Sequence, residues 1–181
     1  MTDDSLSLRD SLRILMVCMG NICRSPIAEV VLRDRIESAG LSSRVVVDSC
    51  GTGDWHEGAG ADPRTVDVLQ ANGYSITHTA RGIRRGWLRQ RDLVLAMDHD
   101  NLRSLRRLAG GDEVALSRIG LLLAYDPNLV GLNDGDPLLE VPDPYFGGAD
   151  GFRDVLTMIE RSVDGLMSSY VMPRLGDDRR G

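Results

Sequence analysis

The chain has 181 residues, 42% of them hydrophobic and 27% charged, enough for one substantial core in a single domain. A formal net charge of -6 disfavours nucleic acid and anionic membrane as partners. Basic charge is carried by arginine alone, since no lysine occurs, so no Walker-type lysine is available to grip a phosphate. Cys18, Cys23 and Cys50 contain no Cys-x2-Cys pair, which argues against a disulfide framework and against structural zinc. The first apolar run is about half the length of a membrane span, and no signal-peptide charge pattern precedes it. A soluble, reducing, cytoplasmic setting is expected.

Residues 1–12 read as a loose polar leader to a single domain over 13–175. Arg13–Val17 is a first, apolar strand, and Val17-Cys18-Met19-Gly20-Asn21-Ile22-Cys23-Arg24-Ser25-Pro26 continues it into a tight loop. Pro26 lies in the first turn of a helix reaching to near Gly40, where a missing N–H costs nothing. The β-branched run Arg44–Asp48 is a second strand and Ser49–Asp62 a glycine-rich loop. Within it, Gly51-Thr52-Gly53 lacks the following helix that a dinucleotide fingerprint requires. Pro63 opens a helix over Arg64–Asn72, Ile76–Ile83 is irregular, and Arg84–Arg91 makes one or two helical turns. Asp92–Met97 is a third strand, Asp98–Leu108 a helix closed by Gly110-Gly111, and Val114–Ile119 a fourth strand.

Leu121–Asp150 reads as a long loop, a length usually reserved for function. Phe152, Val155, Leu156, Ile159, Val163 and Leu166 recur at helical spacing and define a last helix over Phe152–Tyr170, before a frayed tail at 176–181. Strands alternating with helices predict an α/β domain with a parallel sheet and right-handed crossovers. Its ligand belongs at the carboxyl ends of the strands, where the loop after the first strand lies.

That loop carries the chemistry. Successive amides and the positive end of the following helix make an anion cradle. Cys18 opens the cradle and Arg24 closes it. The donors that would hold the non-bridging oxygens of a phosphoryl group therefore face a sulfur placed to attack it, and the planar fork of Arg24 can bind two of those oxygens. Gly20 admits close approach and an unusual φ, Asn21 suits a left-handed position, and Ser25 can donate to a thiolate. Cys50, at a strand end, is expected to be structural.

This decapeptide resembles the active-site loop of the low-molecular-weight protein tyrosine phosphatases. The likeness continues in order through Asp54-Trp55-His56, Asp62-Pro63-Arg64, His78-Thr79-Ala80-Arg81, Met97-Asp98 and Asp143-Pro144-Tyr145-Phe146-Gly147. It implies the family's Rossmann-like fold, a four-stranded parallel sheet flanked by helices on both faces, with no metal or other cofactor and a phosphocysteine intermediate. Cys18 is then the nucleophile, Arg24 the phosphate clamp and Asp143 the general acid. Met19, Gly20, Asn21, Ile22, Cys23 and Ser25 complete the phosphate loop, and Trp55 and Tyr145 wall the substrate ring. Ser49 and His78 brace the loop, and Asp98 orients Arg24; His56 is placed at the rim without a catalytic step. A phenolate leaving group needs a proton as its bond to phosphorus breaks, which fits a carboxyl group on a proline-flanked loop. Cys23, matched to family members with a second loop cysteine, implies a reversible disulfide with Cys18 under peroxide.

The resemblance implies a phosphotyrosine-containing protein substrate, a tyrosine kinase among the possibilities, and a monomer is the default. A thioredoxin-coupled arsenate reductase would need two further downstream cysteines, and none follows Cys50. A protein arginine phosphatase tends to carry threonine where Ile22 stands, and an apolar residue suits a phenyl ring better. A silent phosphotyrosine-binding module would not need Cys18, Arg24 and Asp143 together. The stretch Asn128–Glu140 departs from a minimal family member by its glycines, acids and Pro137.

Overall fold

The computed structural model describes residues 11–176; most of the expected leader and residues 177–181 of the expected tail lie outside the described residues. Four strands, β1 (Leu12–Cys18), β2 (Val45–Gly51), β3 (Leu93–Ala96) and β4 (Ile119–Leu121), form one sheet in the order β2-β1-β3-β4. All neighbours are parallel, with Cys18 opposite Gly51 and Val17 opposite Ala96. Strand order reverses between β1 and β3, so the end of β1 is the switch point at which such sheets bind ligands. The central strand explains itself: Ile14, Leu15, Met16 and Val17 are wholly buried, as expected of a strand covered on both faces.

Helices α1 (Arg24–Ser38), α2 (Pro63–Ala71), α3 (His99–Ala109), α4 (Glu113–Leu116), α5 (Ala149–Leu166) and α6 (Met172–Gly176) complete the layers. Right-handed crossovers leaving the switch in opposite directions put α1 and α3 on opposite faces. Accordingly α1 packs against α5, and α3 against β3 and β4. The apolar stripe read in the sequence, Phe152 to Leu166, is the buried face of α5.

Several boundaries differ from the sequence reading: β2 runs on through Ser49 and Cys50 to Gly51, and α5 begins at Ala149 and ends at Leu166. Leu12 already belongs to β1, its N–H donating to Arg44 O at 2.8 Å. Val114–Leu116, read as strand, lies in α4, because Asp112 caps it by accepting from Ala115 N at 3.2 Å; the fourth strand starts only at Ile119. The long loop is broken by 3-10 turns at Leu122–Tyr125, Pro127–Leu129 and Pro137–Leu139, the last two led by a capping aspartate and proline. It is pinned to α5 by Asp126, wholly buried and ion-paired with Arg161. Gly165 permits that contact, since a Cβ there would lie 1.9 Å from Tyr125 O.

Candidate active site

The turn from β1 into α1 wraps around one sulfur. Cys18 is 3% exposed; its Sγ accepts from Asn21 N at 3.3 Å and lies 3.0 Å from Ser25 Oγ. Asn21 takes the left-handed conformation, φ 57°, the lone non-glycine residue among those described to do so, which turns its amide toward the sulfur. Gly20 is needed for another reason than an unusual φ: a Cβ there would come 2.9 Å from His56 Cδ2. The glycine-rich stretch after β2 runs against the same turn. Thr52 N donates to Cys18 O at 2.8 Å and Gly53 N to Met19 O at 3.0 Å, and a Cβ on Gly51 would collide with Met19 O at 2.6 Å.

Asn21 is also the hub of a buried polar network. Its Nδ2 donates to Ser25 Oγ and to Ser49 Oγ, each at 2.9 Å, and its Oδ1 accepts from Arg81 N at 3.0 Å. His78 Nε2 donates to Asn21 O at 2.7 Å. The Ser49 hydroxyl in turn donates to the Glu29 carboxylate. Because Ser25 Oγ already accepts from Asn21, its hydroxyl hydrogen is directed away from that amide, toward the Cys18 sulfur or the more distant Cys50 O at 3.4 Å. Arg81, stacked on Trp87 and paired with Asp48 at 2.7 Å, fixes the far side of the network.

Arg24 is 3% exposed and held on three sides. Its Nη1 donates to Asp98 Oδ2 at 2.6 Å and to Val141 O at 3.0 Å; its Nη2 donates to Asp143 Oδ2 at 3.1 Å. Burial pulls the guanidinium down, but Cys18, Asp143 and Asp98 together hold it above its ordinary value. With Nη1 committed to anchoring, Nε and Nη2 remain for a ligand. Asp98 also caps α3, accepting from Asn101 N at 2.7 Å. Asp143 Oδ1 accepts from Tyr145 N at 3.1 Å, so one short turn orients the carboxyl group and the ring that follows it.

These groups enclose a cavity of about 110 Å³ lined by Cys18, Met19, Gly20, Ile22, Cys23, Arg24, His56, Asp143, Tyr145 and Phe146. Tyr145 and Phe146 meet edge to face at 5.0 Å, and Arg64 links this wall to the loop by pairing with Asp62 and donating to Gly147 O at 3.1 Å. Trp55, expected as a ring wall, is absent from that lining: it is 69% exposed, with its indole folded over Gly53, where a Cβ would lie 1.7 Å from the ring. His56 and Phe146 occupy the rim instead. Cys23 faces the cavity with a thiol pushed up to about 12, first by burial and then by Asp62. Burial likewise pushes the Cys50 thiol up.

Glu29, Arg81 and the Val141 carbonyl were given no role by the sequence reading. Glu29 had one visible signal, a lone acid inside Ile27-Ala28-Glu29-Val30-Val31 on a helix otherwise apolar there. Among the described residues no group of three His, Cys, Asp or Glu side chains could hold a metal ion, and no helix is long and apolar enough to cross a membrane.

A cysteine sulfur that accepts the Asn21 N–H at a sheet's switch point has the buried Arg24 guanidinium and the Asp143 carboxyl group on the same cavity, an arrangement suited to a cysteine-dependent phosphatase. Residues 13–176 match the model of the low molecular weight phosphotyrosine protein phosphatases. A low molecular weight protein-tyrosine-phosphatase of Streptomyces coelicolor is 51% identical over 87% of this chain and 92% of its own length. The crystal structure of a protein tyrosine phosphatase from Entamoeba histolytica superposes with a TM-score of 0.79 at 31% identity, covering 92% of this chain and 99% of that one. That of a Drosophila arginine phosphatase gives 0.77 at 29% identity, covering 88% and 98%. The chain belongs to the low molecular weight phosphotyrosine protein phosphatase family.

Proposed function

We propose that the chain hydrolyses phosphotyrosine in protein substrates through a phosphocysteine, with residues 13–175 as the catalytic domain. The supporting observation is the placement of Cys18, Arg24 and Asp143 on one cavity whose walls are apolar or aromatic. In the first step the Cys18 thiolate attacks phosphorus and the bond to the tyrosine oxygen breaks. Loop amides and the free donors of Arg24 take the charge on the non-bridging oxygens. Asp143, released from its pairing with Arg24 as phosphate arrives, protonates the departing phenolate. In the second step water attacks the phosphocysteine, Asp143 takes its proton, and phosphate leaves with the Cys18 thiolate restored. The Ser25 hydroxyl stabilises that thiolate as it departs.

Ile22, Met19, Tyr145 and Phe146 offer a planar ring hydrocarbon and aromatic surface, worth about 1 kcal/mol for a stacked ring, and give a guanidinium no carboxylate beyond Asp143. A phosphorylated tyrosine kinase is one fitting substrate, and a cytoplasmic monomer fits the composition. Hydrolysis of p-nitrophenyl phosphate tests the chemistry: Cys18→Ser should lower the rate by on the order of 10³ or more, and full activity in that variant would refute the mechanism. Competition among phosphotyrosine, phosphoarginine and phosphoserine peptides tests the substrate. Phosphotyrosine should lead by about tenfold or more, as one well-fitted group can decide; a phosphoarginine preference would move the chain to the arginine-phosphatase reading.

A further inference from the structure

The stretch that departs from a minimal family member, Asn128–Glu140, buries Leu139 in the core, and its polar tie to the catalytic side runs through one imidazole. His99 begins α3, next to the Asp98 that anchors Arg24. Its Nδ1 lies 2.7 Å from Glu140 Oε1, its Nε2 lies 2.8 Å from Asp134 O, and its backbone N–H donates to the same Glu140 oxygen at 3.1 Å. A backbone carbonyl can only accept, so Nε2 carries a hydrogen. The Glu140 side chain is 40% exposed, and a water-facing carboxylate at neutral pH also only accepts. Both ring nitrogens must therefore donate, which the imidazolium alone can do.

What the ring grips is the root of the acid segment. Glu140 is followed by Val141, whose N–H donates to Met97 O at 2.8 Å and whose O receives Arg24 Nη1. Two residues further on is Asp143. We infer that protonated His99 is a positioning residue for the general acid, a clasp that holds residues 134–140 and, through Val141, sets where Asp143 stands over the phosphate. This rests on Asp143 as the proton donor.

The charged groups around the ring are Glu140 and the Asp134 carbonyl on the loop, and Arg103 one turn along α3, itself paired with Asp100. The Asp134 carbonyl and then Glu140 raise the His99 pKa, against burial and the repulsion of Arg103. The clasp is thus closed below that raised value. As pH climbs through it, one nitrogen becomes a lone pair facing an acceptor, and that end opens.

Phenyl phosphate and p-nitrophenyl phosphate separate this role from general destabilisation, because the poorer phenolate leaving group depends more on the acid. His99→Gln should lower kcat/KM for phenyl phosphate about fivefold more than for p-nitrophenyl phosphate. In an Asp143→Ala background it should add nothing to that difference. Ring nitrogen NMR of the unmodified protein should show both His99 nitrogens protonated at neutral pH, and the loss of one at higher pH should track a fall in the phenyl to p-nitrophenyl ratio. A neutral ring at neutral pH, equal losses on both substrates, or a full additional loss in the Asp143→Ala background would each overturn the clasp. If Asp143→Ala itself fails to distinguish the two substrates, the acid assignment falls, and not the clasp alone.

Discussion

The cysteine loop and the acid segment face each other across a cavity of about 110 Å³, but they are held by different forces. The loop is fixed by buried, mostly neutral hydrogen bonds centred on Asn21, which is wholly buried. The acid segment is rooted by buried Leu139 and Val141 and by the Val141 N–H on Met97 O, but its polar side chains are held by charge: Asp143, 33% exposed, meets Arg24, and Glu140, 40% exposed, meets His99. A nucleophile needs an unchanging cradle, and buried polar bonds that cannot exchange with water supply one. An acid must let go of Arg24, protonate a leaving group and then accept a proton. Partly exposed ion pairs, which are worth little net energy, allow that.

The contrast predicts that damage on the acid side will appear in catalysis and damage on the loop side in stability as well. Asp143→Ala should cost about 10²–10⁴ in kcat/KM on phenyl phosphate, with melting temperature nearly unchanged, measured by steady-state kinetics beside calorimetry. A large fall in melting temperature would show the acid segment to be structural. Asn21→Ala should instead destabilise the fold by about 3 kcal/mol, from lost side-chain hydrogen bonds and the left-handed backbone, and weaken catalysis with it. Asn21→Gly separates the two causes. Denaturant titration should show it recovering about 1 kcal/mol, the backbone part alone; a recovery of most of the loss would mean that the network contributes little.

The same division decided what was legible beforehand. Local signals carried β1, the loop, α1 and α5: an unbroken apolar run, Pro26 in a first turn, and apolar residues at helical spacing. Even the left-handed Asn21 followed from residue type. What depended on contacts from elsewhere did not show. Residue type suggests close approach to the ligand and an unusual φ for Gly20, whereas the contact that requires glycine is His56, crowding it from a different loop. Trp55 was placed on the ring wall by resemblance, but the room over Gly53 draws its indole aside. Val114–Leu116 has the β-branched, apolar look of a strand, and the Asp112 cap decides for helix. Glu29 and His99 gained their meaning only when Ser49, Glu140 and Asp134 came within reach.

Cys23 gives the smallest and most specific test of a loop built to stay put. All three cysteines are free thiols, and burial followed by Asp62 pushes Cys23 up to about 12. Peroxide oxidises the Cys18 thiolate to a sulfenic acid with release of hydroxide. Cys23 must then attack as thiolate, form the disulfide and expel hydroxide from Cys18. Since its pKa is raised, the thiolate fraction is small at neutral pH and grows as pH rises toward 12. Disulfide formation from pre-formed sulfenic acid should therefore speed up about tenfold per pH unit above neutrality. Mass spectrometry of quenched samples measures it, with Cys23→Ser trapping the sulfenic form and going on to sulfonic acid. A pH-independent rate would mean that oxidation of Cys18 remodels the loop enough to expose Cys23, and the rigid half of the site would prove the more yielding one. Sulfonic acid alone, with no disulfide at any pH, would show that the cradle holds the two sulfurs apart even when the chemistry favours joining them.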